Sequence, residues 1–430
     1  MMSRSIKKVV LPLILMFSVT LISTSCGERQ KQITLSSDVK QETKDEEKNA
    51  SKLVKVTELD LNNMIYTPIC WKDDENIIVT EGSDKNTIDL NSIHIDDINI
   101  YNVNIKTSKV SKINTIKEAI CGDIGQKHMY GNFLYTKDNK LWMYNTIENA
   151  SKPVYDLSDI MKKQKEGLKT ADTRELLKRI HSGFVFGSDK YVYVIADVSN
   201  IESIMVAIDT KTGDAIEGYT NSGYFPYSDK TQGIFSWVYN KSNDSFYISS
   251  PYYNVIYKTQ LGKKSAFKKI ETVGGQIFDI SEDGNEIYLN SIYKNGKRSI
   301  VKYDIQKDKV TVIADENRDN GRKNHTSMFT DVHTDTRKGI ISYSIQSAEL
   351  ESKNKTYRME AASFIGDFDG KEIKNARMLP IEQLDNKSSQ NTIMINRKGD
   401  GFIYTLYYFD YEGEVIKFYK TKSYIYQIKQ

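Results

Sequence analysis

Apolar and polar positions alternate along most of the chain beyond residue 52, in short runs cut by polar turns. Residues 276–314 show the pattern best. Gln276, Ile277 and Phe278 are followed by a turn at Glu282, Asp283, Gly284 and Asn285, then by Ile287 and Leu289. A second turn (Lys294, Asn295, Gly296) leads to Ile300, Val301, Tyr303 and Ile305, and a third (Lys307, Asp308) to Val310, Val312 and Ile313. A period of two between tight turns predicts four antiparallel strands, one meander of roughly 40 residues.

The same pattern recurs in 71–82 with 99–113, in 135–157, 186–219 and 238–273, in 333–347 with 363–379, and in 395–429. Alternation is plain in Tyr191, Tyr193 and Ile195 and in Phe402, Tyr404, Leu406 and Tyr408. With 279–314 this makes seven copies, each able to bury only part of its apolar surface alone. Radial stacking covers both faces of every sheet and protects the edges. The expectation is one all-β domain over residues 52–430, a β-propeller of four-stranded blades, about seven in number, or six if two copies share a blade. The run KLVKVTEL (52–59) is expected to pair with the last blade and close the ring.

One segment breaks the strand pattern. Ser158 as N-cap and Gly167 as terminator bound one predicted helix, and a capping box of Asp172 and Glu175 opens another. Two short helices are therefore expected between the second and third blades, laid across one face of the ring by Ile160, Met161, Leu168, Leu176, Leu177 and Ile180. Their functional alternative is a lid or docking element.

Residues 278–314 resemble the repeat of TolB-like propellers, an apolar residue followed by Ser-Pro-Asp-Gly, a strand and a hairpin. Ser281, Asp283 and Gly284 match and Glu282 replaces the proline; fragments recur in Lys398-Gly399-Asp400-Gly401 and Gly187-Ser188-Asp189. The resemblance covers most of residues 65–430 and implies an architecture without an activity.

The N-terminus reads differently. Arg4, Lys7 and Lys8 precede an apolar run from Val9 to Ile22, and Ser23, Thr24 and Ser25 precede Cys26. A cationic head, a short apolar core and a small-residue exit make residues 1–25 a predicted signal peptide. Cys26-Gly27 resembles the lipobox of bacterial lipoproteins, with Ser23 where that family has leucine. The resemblance implies a diacylglycerol on Cys26 and a membrane anchor on the extracytoplasmic face; the alternative is cleavage to a soluble secreted protein. Residues 26–51 are polar enough to be a flexible tether with a reach of about 28 Å. The net charge is +3, and the leader's three cations account for all of it. No basic field remains for nucleic acid. Cys70 and Cys121 are either a disulfide or two separate buried thiols.

Linear catalytic motifs are missing: there is no Gly-x-Ser-x-Gly, His-Glu-x-x-His, phosphate-binding loop or dinucleotide fingerprint, and no cofactor is expected. Asp331, His333 and Asp335 would share one face of a strand and form a weak metal candidate, which a solvated outer face explains equally well. Asp367-Phe368-Asp369-Gly370 reads as a hairpin turn before a calcium loop. Tyr224, Phe225 and Tyr227, in a loop between blades, and Trp237, Tyr252 and Tyr253 after it, are the candidate binding aromatics; packing between blades is their alternative. Two functions follow: a membrane-anchored binding or scaffolding protein for a protein, peptide or glycan, or a propeller hydrolase or lyase whose catalytic residues come from several blades.

Overall fold

The structure is a computed structural model that describes residues 52–429, apart from scattered single residues and stretches such as 82–86, 90–95, 121–127, 222–235, 251–254, 261–267, 316–324 and 380–387. Its strands form seven antiparallel sheets. In chain order these blades span residues 66–119, 128–156, 180–221, 236–270, 276–315, 325–378 and 388–429. Apolar clusters join each blade to the next, and a further one joins blade 7 (Ile403, Ile425) to blade 1 (Tyr66, Trp71, Ile77). The sheets therefore close into a seven-bladed β-propeller.

Burial of both sheet faces explains the dense apolar runs. In blade 3 every residue of the strand Tyr191–Asp197 is buried. Tyr191, Tyr193 and Ile195 pack toward blade 4, while Val192, Val194 and Ala196 pack toward blade 2. A strand covered on both sides loses the polar half of its alternation.

The N-terminal strand Lys52–Leu59 pairs antiparallel with Val415–Lys429, so blade 7 is completed by the start of the chain, as the sequence predicts. Tyr66, fully buried, ties the closure to blade 1: its one hydroxyl proton is shared between the Leu59 carbonyl at 3.2 Å and Ser423 Oγ at 2.9 Å, and its N–H donates to Thr421 Oγ1. A short strand from the blade 1 insertion, Thr87–Asp89, also pairs with residues 415–417 of blade 7.

Connections alternate between the two faces of the ring. First-to-second and third-to-fourth strand links occupy one face and are mostly tight turns. Asn104, Asn145, Asp209, Asp304 and Asp369 each end or follow a third strand there, and their Oδ1 accepts the N–H groups two and three residues on. In four of these turns the fourth residue on, Ser108, Asn149, Gly213 or Asp308, has φ between 49° and 78°. The asparagine or aspartate side chain stands in for a backbone turn bond, which fixes the repeat's register. Asp369 is one of these turns, so Asp367–Gly370 is a hairpin feature. The strand ends that flank 82–95, 120–127, 157–179, 222–235 and 316–324 lie at the opposite face.

Two helices lie between blades 2 and 3: α1, Ser158–Leu168, and α2, Thr173–Lys178. The caps of α1 differ from expectation. Leu157 is the N-cap and Ser158 is already helical, its N–H taken by Asp156 Oδ1; at the other end the helix runs through Gly167, and Lys169 is the left-handed cap. Gly167 serves close approach instead, since a Cβ there would stand 1.9 Å from the Val198 carbonyl oxygen. The helices are wedged between blades rather than laid across the ring: Ile160, Met161 and Leu176 share a cluster with Leu134, Leu141 and Val154 of blade 2 and Val192 and Val194 of blade 3.

The Tyr66→Phe variant tests the closure. Losing this shared buried hydrogen bond should lower unfolding free energy by about 1–3 kcal/mol, read as an earlier urea midpoint at unchanged slope; an unchanged midpoint would remove this residue from the closure.

Candidate functional site

A layer of buried hydroxyls lies beneath the long-loop face. Paired across second and third strands are Ser344 with Ser363 (3.0 Å) and Thr405 with Ser423 (2.9 Å); across first and second strands, Ser236 pairs with Ser249 (2.7 Å). The Ser236–Ser249 pair also binds the next blade. The N–H of Ile277, on the first strand of blade 5, donates to Ser236 Oγ at 2.8 Å and Ser249 Oγ at 3.0 Å.

Blade 3 carries a cross-strand pair of an acid and a hydroxyl nearer this face, Asp197 with Ser203. Asp197 is 1% exposed; Ser203 Oγ donates to its Oδ1 at 2.7 Å, and its Oδ2 has no hydrogen-bond partner. Burial pushes this carboxyl up to about 7, against the lowering effects of the Ser203 hydrogen bond and the Arg179 charge.

A surface site lies where blades 1 and 2 diverge. Radially arranged sheets meet near the axis and gape toward the rim, and here the gap is an open groove of about 520 Å³. Its walls are Asn114, Thr115, Ile116 and Lys117 from the outer strand of blade 1, and Tyr135, Lys137, Asp138, Trp142 and Ser151 from blade 2. Tyr135 and Trp142 are cross-strand partners either side of the turn at Asp138 and Asn139, where both residues have φ near 50°. Their rings stack with centroids 6.2 Å apart and planes 12° from parallel.

Both rings are held. Trp142 Nε1 donates to the Lys137 carbonyl at 3.1 Å, and the Tyr135 hydroxyl, its pKa raised by burial, bonds Ser151. Lys137 Nζ donates to the Lys117 carbonyl at 2.8 Å. The Lys117 ammonium has no partner among the described residues. Such a surface offers a fixed aromatic plane beside ammonium, amide and hydroxyl groups, with Asp138 as its one acid.

The candidates from sequence fall elsewhere. Trp237 is 1% exposed and stacks on Tyr193 (5.4 Å, 3°) between blades 3 and 4, inside the packing. Cys26, Tyr224, Phe225, Tyr227, Tyr252, Tyr253 and Cys121 lie outside the described residues. Cys70 is buried, its Sγ 3.4 Å from Thr146 Oγ1. Asp331, His333 and Asp335 belong to the strand His325–Asp335, but a register shift between Thr330 and His333 interrupts the alternation at Asp331; their side chains are outside the described set. No group of three or more metal-ligating side chains occurs among the described residues. The groove was missed, although two aromatics symmetric about the Asp138-Asn139 turn in YTKDNKLW carry its signal. Asp197 left none, because an acid at a strand end is ordinary in sequence.

No protein-family model matches the chain, and no curated protein matches it. Solved structures similar to it include an oligogalacturonate lyase from Vibrio parahaemolyticus (10% identity, TM-score 0.47, 88% of this chain and 94% of that one). Others are TolB from Acinetobacter baumannii (11%, 0.38, 77% and 77%) and the β-propeller domain of the Trilobed protease from Pyrococcus furiosus (12%, 0.41, 82% and 97%). At such distances the likeness transfers no activity or ligand.

Asp197 generates a pH prediction. Its pKa is about 7 in the fold and about 4 in the unfolded chain, so between these values the native state holds the extra proton and stability falls as pH rises. The loss is complete above pH 7 and on the order of 4 kcal/mol. Asp197→Asn should therefore raise the urea midpoint at pH 8 and leave it nearly unchanged at pH 4. Equal effects at both values would disprove the assignment.

Proposed function

We propose that the chain is a membrane-anchored extracytoplasmic binding protein, held by a lipid on Cys26 and carried on a tether of residues 27–51. The observation that carries binding is the half-buried Trp142 ring in an open groove, pinned by the Lys137 carbonyl and backed by buried Tyr135, a rigid contact surface whose ordering cost is already met in the free protein. Anchoring rests on the leader: the cations at Arg4, Lys7 and Lys8, the apolar run and the small residues before Cys26. Among the described residues no helix is long and apolar enough to cross a membrane.

The competing reading, a hydrolase or lyase assembled from several blades, calls for perturbed acids or histidines converging on an accessible point. Asp197 is perturbed, and it is the observation favouring that reading. It is also sealed from solvent, its carboxyl bonded among the described residues to Ser203.

Two experiments test the proposal. Cys26→Ala should release the protein to the medium or leave it uncleaved with its leader attached; fractionation and migration identical to the wild type would exclude the lipid anchor. Trp142→Ala in the anchored protein should lose whatever co-purifies from the native envelope while the rim position keeps the thermal midpoint within a few degrees of wild type. Full retention of the same partner by the folded variant would remove the groove from the binding function.

A further inference from the structure

Resting on the binding reading above, we infer that the groove between blades 1 and 2 takes an acidic saccharide, a chain of pyranose rings bearing carboxylates. The groove combines the two chemistries that such a ligand displays. A pyranose ring presents a patch of C–H groups on one side, which lies flat on an aromatic face; the half-buried Trp142 ring, backed by buried Tyr135 and fixed at one edge by its Nε1 on the Lys137 carbonyl, is a face of that kind. The ring's periphery is hydroxyls, and Asn114, Thr115 and Ser151 supply an amide and hydroxyls along the same walls.

Charge selects within the saccharides. Lys117 and Lys137 stand on opposite walls, one from each blade, so a carboxylate entering the groove meets an ammonium on either side. Lys137 spends one of its three donors on the Lys117 carbonyl, which holds the two lysine segments together and leaves two donors for a ligand. Asp138 sits at the turn, and the net charge of the lining remains positive. Thr115 Oγ1 donates to Asn99 Oδ1 at 2.9 Å, which leaves the hydroxyl oxygen of Thr115 to accept from a sugar hydroxyl. Single-stranded nucleic acid would call for a longer basic track than two lysines.

The test uses the full chain in detergent with two probes that share ring and linkage, tetramannuronate and neutral mannotetraose, titrated calorimetrically at low salt. The expected result is about tenfold tighter binding of the uronate, shrinking toward parity as salt screens the pairing. The double variant Lys117→Gln, Lys137→Gln should abolish the difference while keeping the weaker neutral binding, and Trp142→Ala should lose both. Equal affinity for the two probes in the wild-type protein overturns the inference and leaves a binding groove for neutral sugar. Absence of either interaction overturns it too, while envelope retention lost on Trp142→Ala would still support binding of another class. Unchanged uronate binding in Trp142→Ala overturns both readings of the groove.

Discussion

The first strand of a blade has one edge with no neighbour in its own sheet, because a propeller sheet ends at the axis. An N–H left bare at such an edge, away from water, costs about as much as a lost hydrogen bond. The chain answers with side chains from the preceding blade: Ser236 and Ser249 take the N–H of Ile277, and Thr421 takes that of Tyr66. Hydroxyls suit this place since they are small, rotate freely and both donate and accept. The same bonds cross blade boundaries, so satisfying the inner edge also sets how one sheet sits against the next.

Closure is a matter of strand count. Three strands of blade 7 come from residues 388–429, and Lys52–Leu59 supplies the fourth from the far end of the sequence. Blade 7 then cannot be complete until both termini are in place, which gives the outermost contacts of the ring high sequence separation. Tyr66 couples that event to blade 1 through Ser423 and Leu59. With one face fixed by turns in which Asn104, Asn145, Asp209, Asp304 or Asp369 binds its own backbone, length variation is left to the other face. Both the groove and Asp197 lie toward that face.

Most of the fold was legible because period-two alternation and Asp/Asn-rich turns are local, and the repeat summed them seven times. Blade number, the closing strand and the helical insertion all follow from residues near one another in sequence. The caps of α1 were less so: Ser158 and Gly167 have the right residue types for caps, but Leu157 holds the N-cap position, Asp156 takes the Ser158 N–H, and the Val198 carbonyl sets the need for glycine. That second requirement comes from another blade and has no trace in the helix's own sequence. Trp237 shows the same limit for sites. Whether an aromatic is a contact surface or filling depends on its cross-blade neighbour, here Tyr193, some 40 residues away.

The position of the groove has a geometric cause. Flat sheets arranged about an axis diverge outward, and every interface must either fill the wedge or leave it open. Between blades 2 and 3 the wedge is filled: the connection 157–179 folds into α1 and α2, and Ile160, Met161 and Leu176 pack into the gap. Between blades 1 and 2 the connection 120–127 is shorter, and Ile120 is drawn directly onto Thr136 by a bridge. Phe133, Tyr135 and Tyr144 fill the inner part, while Trp142, anchored to its own hairpin, remains half-buried where the filling stops. The two neighbouring interfaces thus solve one packing problem in opposite ways, and the solution without helices is the one that leaves aromatic surface and lysines available to a ligand.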